Sequence, residues 1–486
     1  EPGGMGEHGT HKWLPRLRDS KAKIVSITPV RDDTADYLEA RWLAPRPNTD
    51  VALMMGIAHT LLVEGLHDRA FLTTHAVGFE AFAEYLDGSR DGQPKDATWA
   101  SVICELDADT IRGLARQMAG GRTMIGVAYA LQRADHGEQS YWMAATLAAM
   151  LGQIGMPGGG CGFGYGSMNV YGNPVRRFPV PAMTRGPNPA QSFIPVARIA
   201  DMLLHPGERY QFDGKERTYP DVRLVYWCGG NPFHHHQDLN RLVRAWRRPE
   251  TIIVNEISWT ATAKHADIVL PATTTLERND IGASSRDRFI MAMHQAVAPV
   301  ASARNDYDIF SALASRLGFA DRFTEGRTEA QWLRHLYDVA RQQAARHEIE
   351  LPNFDTFWRD GYVEVDEPDE PYVAFEAFHR DPQAHPLKTP SGKVEIYSES
   401  IGGYGYDDCP GHPVWLEPHE WLGAELAQRF PLHMISNQPV TKLHGQMDDG
   451  TVSLAGKRNG REPVDLAPTD AERRGICDGA TVRVFN

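Results

Sequence analysis

The chain has 486 residues, 42% of them hydrophobic and 23% charged, an ordinary globular balance that excludes disordered and fibrous classes for its bulk. A count of 63 acidic against 50 basic residues leaves a net charge of −13, which argues against a nucleic-acid-binding face. At about 100–200 residues per domain, the length predicts two to four domains.

Residues 23–27 read as a short strand ending at Thr28-Pro29. Residues 51–66 carry apolar side chains at helical spacing behind the capping cluster Asn48, Thr49 and Asp50. A helix over 109–118 leads through Gly120 and Gly121 into a buried strand over 124–128, and this alternation predicts a parallel sheet covered by helices. The most apolar run, 141–151, is a core helix, too short for the roughly 20 residues that span a bilayer. Residues 157–189 are rich in Gly and Pro and read as an ordered loop. A strand over 222–227, a helix over 237–246 and strands over 251–254 and 268–270 fit a βαβ unit. Residues 364–390 read as irregular. Strands are expected over 432–436, 464–466 and 478–484, with a short helix over 470–474. Residue 1 is Glu and the last residues read as a strand that stops, so an internal piece of a longer protein is expected.

Each strong strand ends in a small or polar cluster, where ligands of open α/β sheets bind. These clusters lie at 28–29 with 48–50, at 129–133, at 228–232 and at 255–260, more than one nucleotide site requires. From spacing alone, ordinary strand–turn–helix punctuation explains such clusters better. No GxGxxG opens a helix and no P-loop exists. Cys104, Cys161, Cys228, Cys409 and Cys477 form no CxxC pair, so no iron–sulfur cluster or structural zinc is expected within the chain. Adjacent side chains diverge, so His234, His235 and His236 suit capping and an anionic contact better than one metal ion. His265 reads as structural. Residues 277–280 suit a surface turn held by local ion pairs and a polar cleft wall equally.

Four segments, WTATAKHADIVLPATTTLERND (259–280), WCGGNPFHHHQD (227–238), LQRADHGEQ (131–139) and SNQPVTKLHGQ (436–446), closely resemble the dimethyl sulfoxide reductase family of molybdenum enzymes, in that family's order. The resemblance runs along nearly the whole chain and points to the S-oxide and N-oxide reductase branch. DIGASSRDR (280–288) resembles biotin sulfoxide reductases more than dimethyl sulfoxide or trimethylamine N-oxide enzymes.

The resemblance implies a bis(molybdopterin guanine dinucleotide) molybdenum cofactor that removes oxygen from a sulfoxide or N-oxide through a Mo(IV)/Mo(VI) couple. It implies an α/β fold: a Rossmann-like domain over 1–125 and a second α/β domain over 126–400, each binding one guanine dinucleotide. A linker over 401–430 and the start of a β-barrel-like cap over 431–486 would follow. By motif match, Thr28, Pro29 and Asp50 line one guanosine pocket, and Gln132 and Arg133 approach a pterin and its phosphates. Gly229, Gly230, Asn231, Gln237, Glu256, Ser258 and Thr260 form the other dinucleotide pocket. Lys442, His444 and Gln446 close over the pterin region. Thr28 stands where Asp is usual, Tyr129 where Trp is usual, and Lys442 and Gly445 where Arg and Ser are common. The serine that ligates molybdenum in this branch is expected upstream of Glu1, so the piece alone is expected to be inactive. The implied partners are an S- or N-oxide and an electron donor, with no nucleic acid and no membrane span; a cytoplasmic monomer is favoured over a periplasmic one. A family member acting on nitrate or formate, or a non-catalytic α/β subunit, are the alternatives; the intact Gly229-Gly230-Asn231 and Gln132-Arg133 argue against the subunit.

Overall fold

The computed structural model describes residues 10–163, 178–179, 182–183, 186–187, 189–190, 192–283, 289–365, 372–437, 440–442 and 447–485. It divides into two compact units, Glu1–Arg176 with Glu367–Met434, and Arg177–Asp366 with Ile435–Asn486.

The first unit is built around one buried helix, α1 (Asp50–Val63). Its apolar residues lie on every face rather than along one stripe, so it needs protein all round. That surround is α2 (Ala97–Cys104), α3 (Ala108–Ala119) and α4 (Gly137–Met150). The Asp96 and Asp107 carboxylates cap α2 and α3 by accepting from Trp99 N (2.7 Å) and Thr110 N (2.9 Å). Strands β1 (Val25–Ile27) and β2 (Arg41–Leu43) pair in parallel, as do β3 (Met124–Val127) and β4 (Gly160–Phe163). Ala76–Val77 pairs in parallel with Val394–Glu395, and the next residue, Ile396, is fully buried in this core.

The second unit carries a three-stranded parallel sheet, β5 (Leu224–Cys228), β6 (Thr251–Glu256) and β7 (Ile268–Pro271), with β6 central. Helix α5 (Leu239–Trp246) connects β5 to β6 and buries Leu242, Ala245 and Trp246, while the short α6 (Ala261–Lys264) connects β6 to β7. An antiparallel sheet follows, β8 (Asp280–Ala283), β9 (Phe289–Met293) and β10 (Tyr362–Glu364). Beside it lie α7 (Glu329–Ala345) and α8 (Phe354–Asp360), where Tyr337 stacks on Phe357 with ring centroids 4.1 Å apart.

The division differs from the expected boundaries. The described residues of 126–163 pack with the first unit because α4 lies against α1 in one core. The expected linker over 401–430 is part of that unit: His412, Val414 and Trp421 are buried. The expected barrel start is not formed. Among the described residues of 432–485 there is no strand, only an isolated bridge between Arg458 and Arg461 and the helices Thr451–Ala455 and Pro468–Arg473. The three segments expected to be strands there are mostly exposed, and a strand without a neighbour has no partner for its N–H and C=O groups.

Candidate functional site

In the first unit a small crevice, with about 20 Å³ of space for a water-sized molecule, forms where α1 and α4 begin. Asn48 and Asp50 line it from α1, Asp135, His136, Gln139 and Ser140 from α4 and its approach, and Val414 and Trp415 from the returning segment. Burial pushes the Asp50 carboxyl above the usual carboxylate range. Asn48 reaches the helix through a positive φ of 64°, and Thr49 is held by its hydroxyl donating to Arg46 O at 2.6 Å. Gly137 opens α4 in tight quarters: a Cβ there would stand 2.5 Å from Leu131 O and 2.7 Å from Gln132 O. Only a glycine lets the 131–136 turn lie this close to the helix start.

The returning segment is stitched to this crevice by specific bonds. Val414 N donates to Gln139 Oε1 (3.0 Å), and Trp415 N donates to the Tyr85 hydroxyl (3.1 Å), whose pKa burial pushes up to about 12. Asp135 Oδ2 accepts from His419 N at 2.9 Å and lies 2.7 Å from His419 Nδ1. Burial pushes the Asp135 carboxyl up, but these His419 hydrogen bonds outweigh it and hold the group below its usual range. The hydrogen bond to Asp135 correspondingly raises the His419 imidazole. With His136, these two residues bring three ligand-type atoms within 4.8 Å of one another. The His419 hydrogen bonds already occupy Asp135 Oδ2, so the arrangement is accounted for without an ion.

In the second unit the candidate residues gather at the carboxyl edge of the parallel sheet. Cys228 at the end of β5 is in register with Asn255 near the end of β6, so Gly229 and Glu256 leave the same edge. Gly229 and Gly230 have φ of +71° and +72°, a left-handed conformation that favours glycine, and a Cβ on either would meet nothing within 4 Å. Their carbonyls accept from Trp227 Nε1 at 2.8 and 3.3 Å. Asn231 is 1% exposed; its Oδ1 accepts from the Thr262 hydroxyl, and its Nδ2 is buried with no partner. Thr260 caps α6 by accepting from Ala263 N (3.3 Å), and its hydroxyl donates to Glu256 Oε2 (3.1 Å). Glu256 Oε1 accepts from Ile257 N (2.9 Å), so both carboxylate oxygens shape the turn into α6.

The sequence-derived candidates are therefore brought together only in part. Asp50 lines the first crevice, whereas Thr28, Pro29, Gln132 and Arg133 are not among its lining residues. Thr28 closes the β1–β2 pair, its N–H donating to Leu43 O at 3.1 Å, and Gln132 and Arg133 are exposed in the turn before Ala134. In the second unit Gly229, Gly230, Asn231, Glu256, Ser258 and Thr260 share one edge, with Gln237 exposed just before α5. His444 and Gln446 lie outside the described residues. Lys442 Nζ donates to Asp448 Oδ1 (2.8 Å) and Glu462 Oε1 (2.6 Å), and Lys457 Nζ donates to Asp448 Oδ2 (2.8 Å). These two ammonium groups hold the Asp448 carboxyl down at about 2.

Glu277 is structural: it forms a capping box with Thr274 and accepts from Val300 N at 2.7 Å. His265 is too, its ring stacked on Phe233 at 4.2 Å. Sequence reading passed over Thr262, Asp135 and His419. Thr262 and Asp135 each carried a weak signal, lying in motifs quoted for other residues, whereas His419 is 284 residues from Asp135 and shares no local pattern with it.

The family model described as "Molybdopterin oxidoreductase" matches residues 9–316, and the model described as "Molydopterin dinucleotide binding domain" matches residues 432–486. The chain is 51% identical over 488 residues to a biotin sulfoxide reductase of Cereibacter sphaeroides, covering 100% of this chain and 65% of the relative. It is 47% identical over 494 residues to a dimethyl sulfoxide/trimethylamine N-oxide reductase of that organism, covering 99% of this chain and 60% of the relative. A trimethylamine-N-oxide reductase of Haemophilus influenzae is 43% identical, with coverages of 98% and 59%. The chain thus spans less than two thirds of the length of these curated relatives. Acetylene hydratase from Pelobacter acetylenicus shares the fold, with a TM-score of 0.65 at 18% identity over 96% of this chain and 64% of that one. Among the described residues no helix is long and apolar enough to cross a membrane.

Proposed function

The chain belongs to the molybdopterin oxidoreductase family, and on that premise we propose that it is the cofactor-gripping portion of a reductase that removes the oxygen atom of a sulfoxide or N-oxide. The observation that carries this reading is the 51% identity to biotin sulfoxide reductase along the whole chain, with the dimethyl sulfoxide/trimethylamine N-oxide reductase at 47%. The implied cofactor is bis(molybdopterin guanine dinucleotide) molybdenum, which when bound supplies two-electron oxygen-atom transfer.

The residues present fit two guanine dinucleotides. Guanine offers an exocyclic amino donor, and the half-buried Asp50 carboxyl is an acceptor at the edge of a small crevice. Phosphate, ribose and guanine also offer acceptors, and the Asn231 amide nitrogen is a buried donor lacking one. Gly229 and Gly230 leave open space in which a dinucleotide can approach the backbone. Thr260 and Glu256 hold the start of α6 rigid beside them, with Ser258 and Gln237 at the rim. Arg133, exposed and permanently charged, suits phosphate as a forked donor, with Gln132 beside it facing the pterin. Thr28 and Pro29 end the strand that borders the first dinucleotide. Lys442, His444 and Gln446 are assigned to the pterin by motif match alone.

An electron donor outside this chain completes the cycle; the likeness to biotin sulfoxide reductase supports the cytoplasm over the periplasm as the compartment, with a monomer as the working assembly. Assay of the protein containing this chain with a reduced viologen dye for the oxides and nitrate, and with the oxidised dye for formate, tests the substrate class. Turnover of biotin, methionine or dimethyl sulfoxide, or of trimethylamine N-oxide, is expected; turnover of nitrate or formate in their place would overturn the reading.

A further inference from the structure

We propose that Thr262 is a positioning residue, whose hydroxyl fixes the Asn231 side-chain amide so that its nitrogen is the end left for the guanine nucleotide. This deepens, and rests on, the nucleotide reading of the carboxyl edge of the parallel sheet in the second unit. Thr262 is fully buried on α6 and Asn231 is 1% exposed in the turn after β5. The Thr262 hydroxyl has one proton, and it donates to Asn231 Oδ1. With the hydroxyl proton spent on Oδ1, the amide presents its nitrogen as the spare group. Turned over, the amide would give its nitrogen to Thr262 and leave a carbonyl oxygen as the spare group, which repels phosphate and accepts nothing from it.

The spare nitrogen is itself an observation that points to a ligand. Nδ2 is buried and finds no acceptor in the protein, a state that native structures rarely leave unanswered. Leaving a buried donor unpaired costs more than a hydrogen bond ordinarily contributes, so an arriving acceptor gains unusually much there. The preceding turn, Gly229–Gly230, is at positive φ with nothing within 4 Å of either Cβ position. The backbone beside the covered nitrogen therefore has room to adjust as the acceptor arrives. Thr262 touches no ligand in this scheme; it acts through Asn231.

Titration of the full chain with GDP by calorimetry tests this. Thr262→Val, which keeps the shape and removes the hydroxyl, is expected to weaken binding at one GDP site about tenfold, and Thr262→Ser to restore it to within about twofold. Asn231→Asp keeps the acceptor for Thr262 but removes the amide nitrogen, so it is expected to weaken the same site at least as much. In an Asn231→Ala background, Thr262→Val is expected to add nothing, an interdependence that a purely structural role would not produce. Wild-type affinity in either Thr262→Val or Asn231→Asp would overturn the inference while leaving the nucleotide reading in place. Failure of the wild-type chain to bind GDP would overturn that reading, and the inference with it.

Discussion

Gly56 sits in the middle of α1, the helix whose first residue, Asp50, lines the first crevice. Replacing it with alanine sets two effects against each other. Glycine in a helix interior costs about 0.8–1 kcal/mol relative to alanine, so propensity alone favours the change. The added Cβ, however, would stand 2.7 Å from Ala100 Cβ and 3.2 Å from Ile111 Cγ2. Ala100 is fully buried on α2 and its Cβ is tied directly to backbone, so relief requires the helices to part by about 1 Å to reach a normal carbon–carbon contact. Overpacking of this kind costs about 1–3 kcal/mol, and the clash is with backbone-fixed atoms, so the upper half of that range applies. Gly56→Ala is therefore expected to destabilise the first unit by about 1–2 kcal/mol net. Gly113 provides the control: it is exposed on α3, and a Cβ there meets nothing within 4 Å. Gly113→Ala is expected to stabilise by about 0.5–1 kcal/mol. Urea unfolding followed by circular dichroism reads both, as shifts of midpoint in opposite directions at unchanged slope. A Gly56→Ala protein as stable as wild type, or more so, would refute the close helix packing on which the crevice rests.

The Asp135–His419 contact gives a pH window. The His419 pKa is raised on folding, so its contribution is complete below the ordinary imidazole value of about 6.5 and is lost as pH rises through the folded value. The Asp135 pKa is depressed, so its contribution is complete above about 3.9 and is lost as pH falls through the folded value. Melting temperature plotted against pH is expected to lose part of its decline above neutrality in His419→Gln; an unchanged profile would contradict the pairing. Nuclear magnetic resonance titration of Asp448 is expected to give a midpoint near the pKa of about 2, with the stability it contributes lost between about pH 4 and that value. A midpoint near 4 would mean that Lys442 and Lys457 do not hold it. Phe357→Ala removes a fully buried ring stacked on Tyr337 and is expected to cost about 3–5 kcal/mol, read by denaturant unfolding. A loss below about 1 kcal/mol would contradict the packing of α7 on α8.

Local pattern made much of this fold legible. The predicted strand 251–254 and helix 237–246 correspond to β6 and α5, because alternating burial and 3.6-residue periodicity are properties of the elements themselves. Even there, ends were set by chemistry that is easy to overlook. The helix expected to reach residue 66 stops at Val63, because Gly65 turns at φ +65° and Leu66 N donates back to Leu61 O. The return of 394–396 to the first core, the Asp135–His419 contact and the Thr262–Asn231 bond are not local. Each joins segments whose own neighbours carry no trace of the partner. The segments over 432–436, 464–466 and 478–484 show the converse: strand-like composition is not a strand where, among the described residues, no neighbouring segment pairs with it.

The central claim is that this chain grips two guanine dinucleotides around one molybdenum. It is tested most directly by the metal and nucleotide content of the protein containing the chain, purified from a host that makes the cofactor. Metal analysis, with chromatography of the nucleotides released by acid hydrolysis, is expected to give two guanine nucleotides for each molybdenum, with the amounts of both per protein falling together in Asn231→Ala. Molybdenum without guanine nucleotide, or neither, would contradict the account.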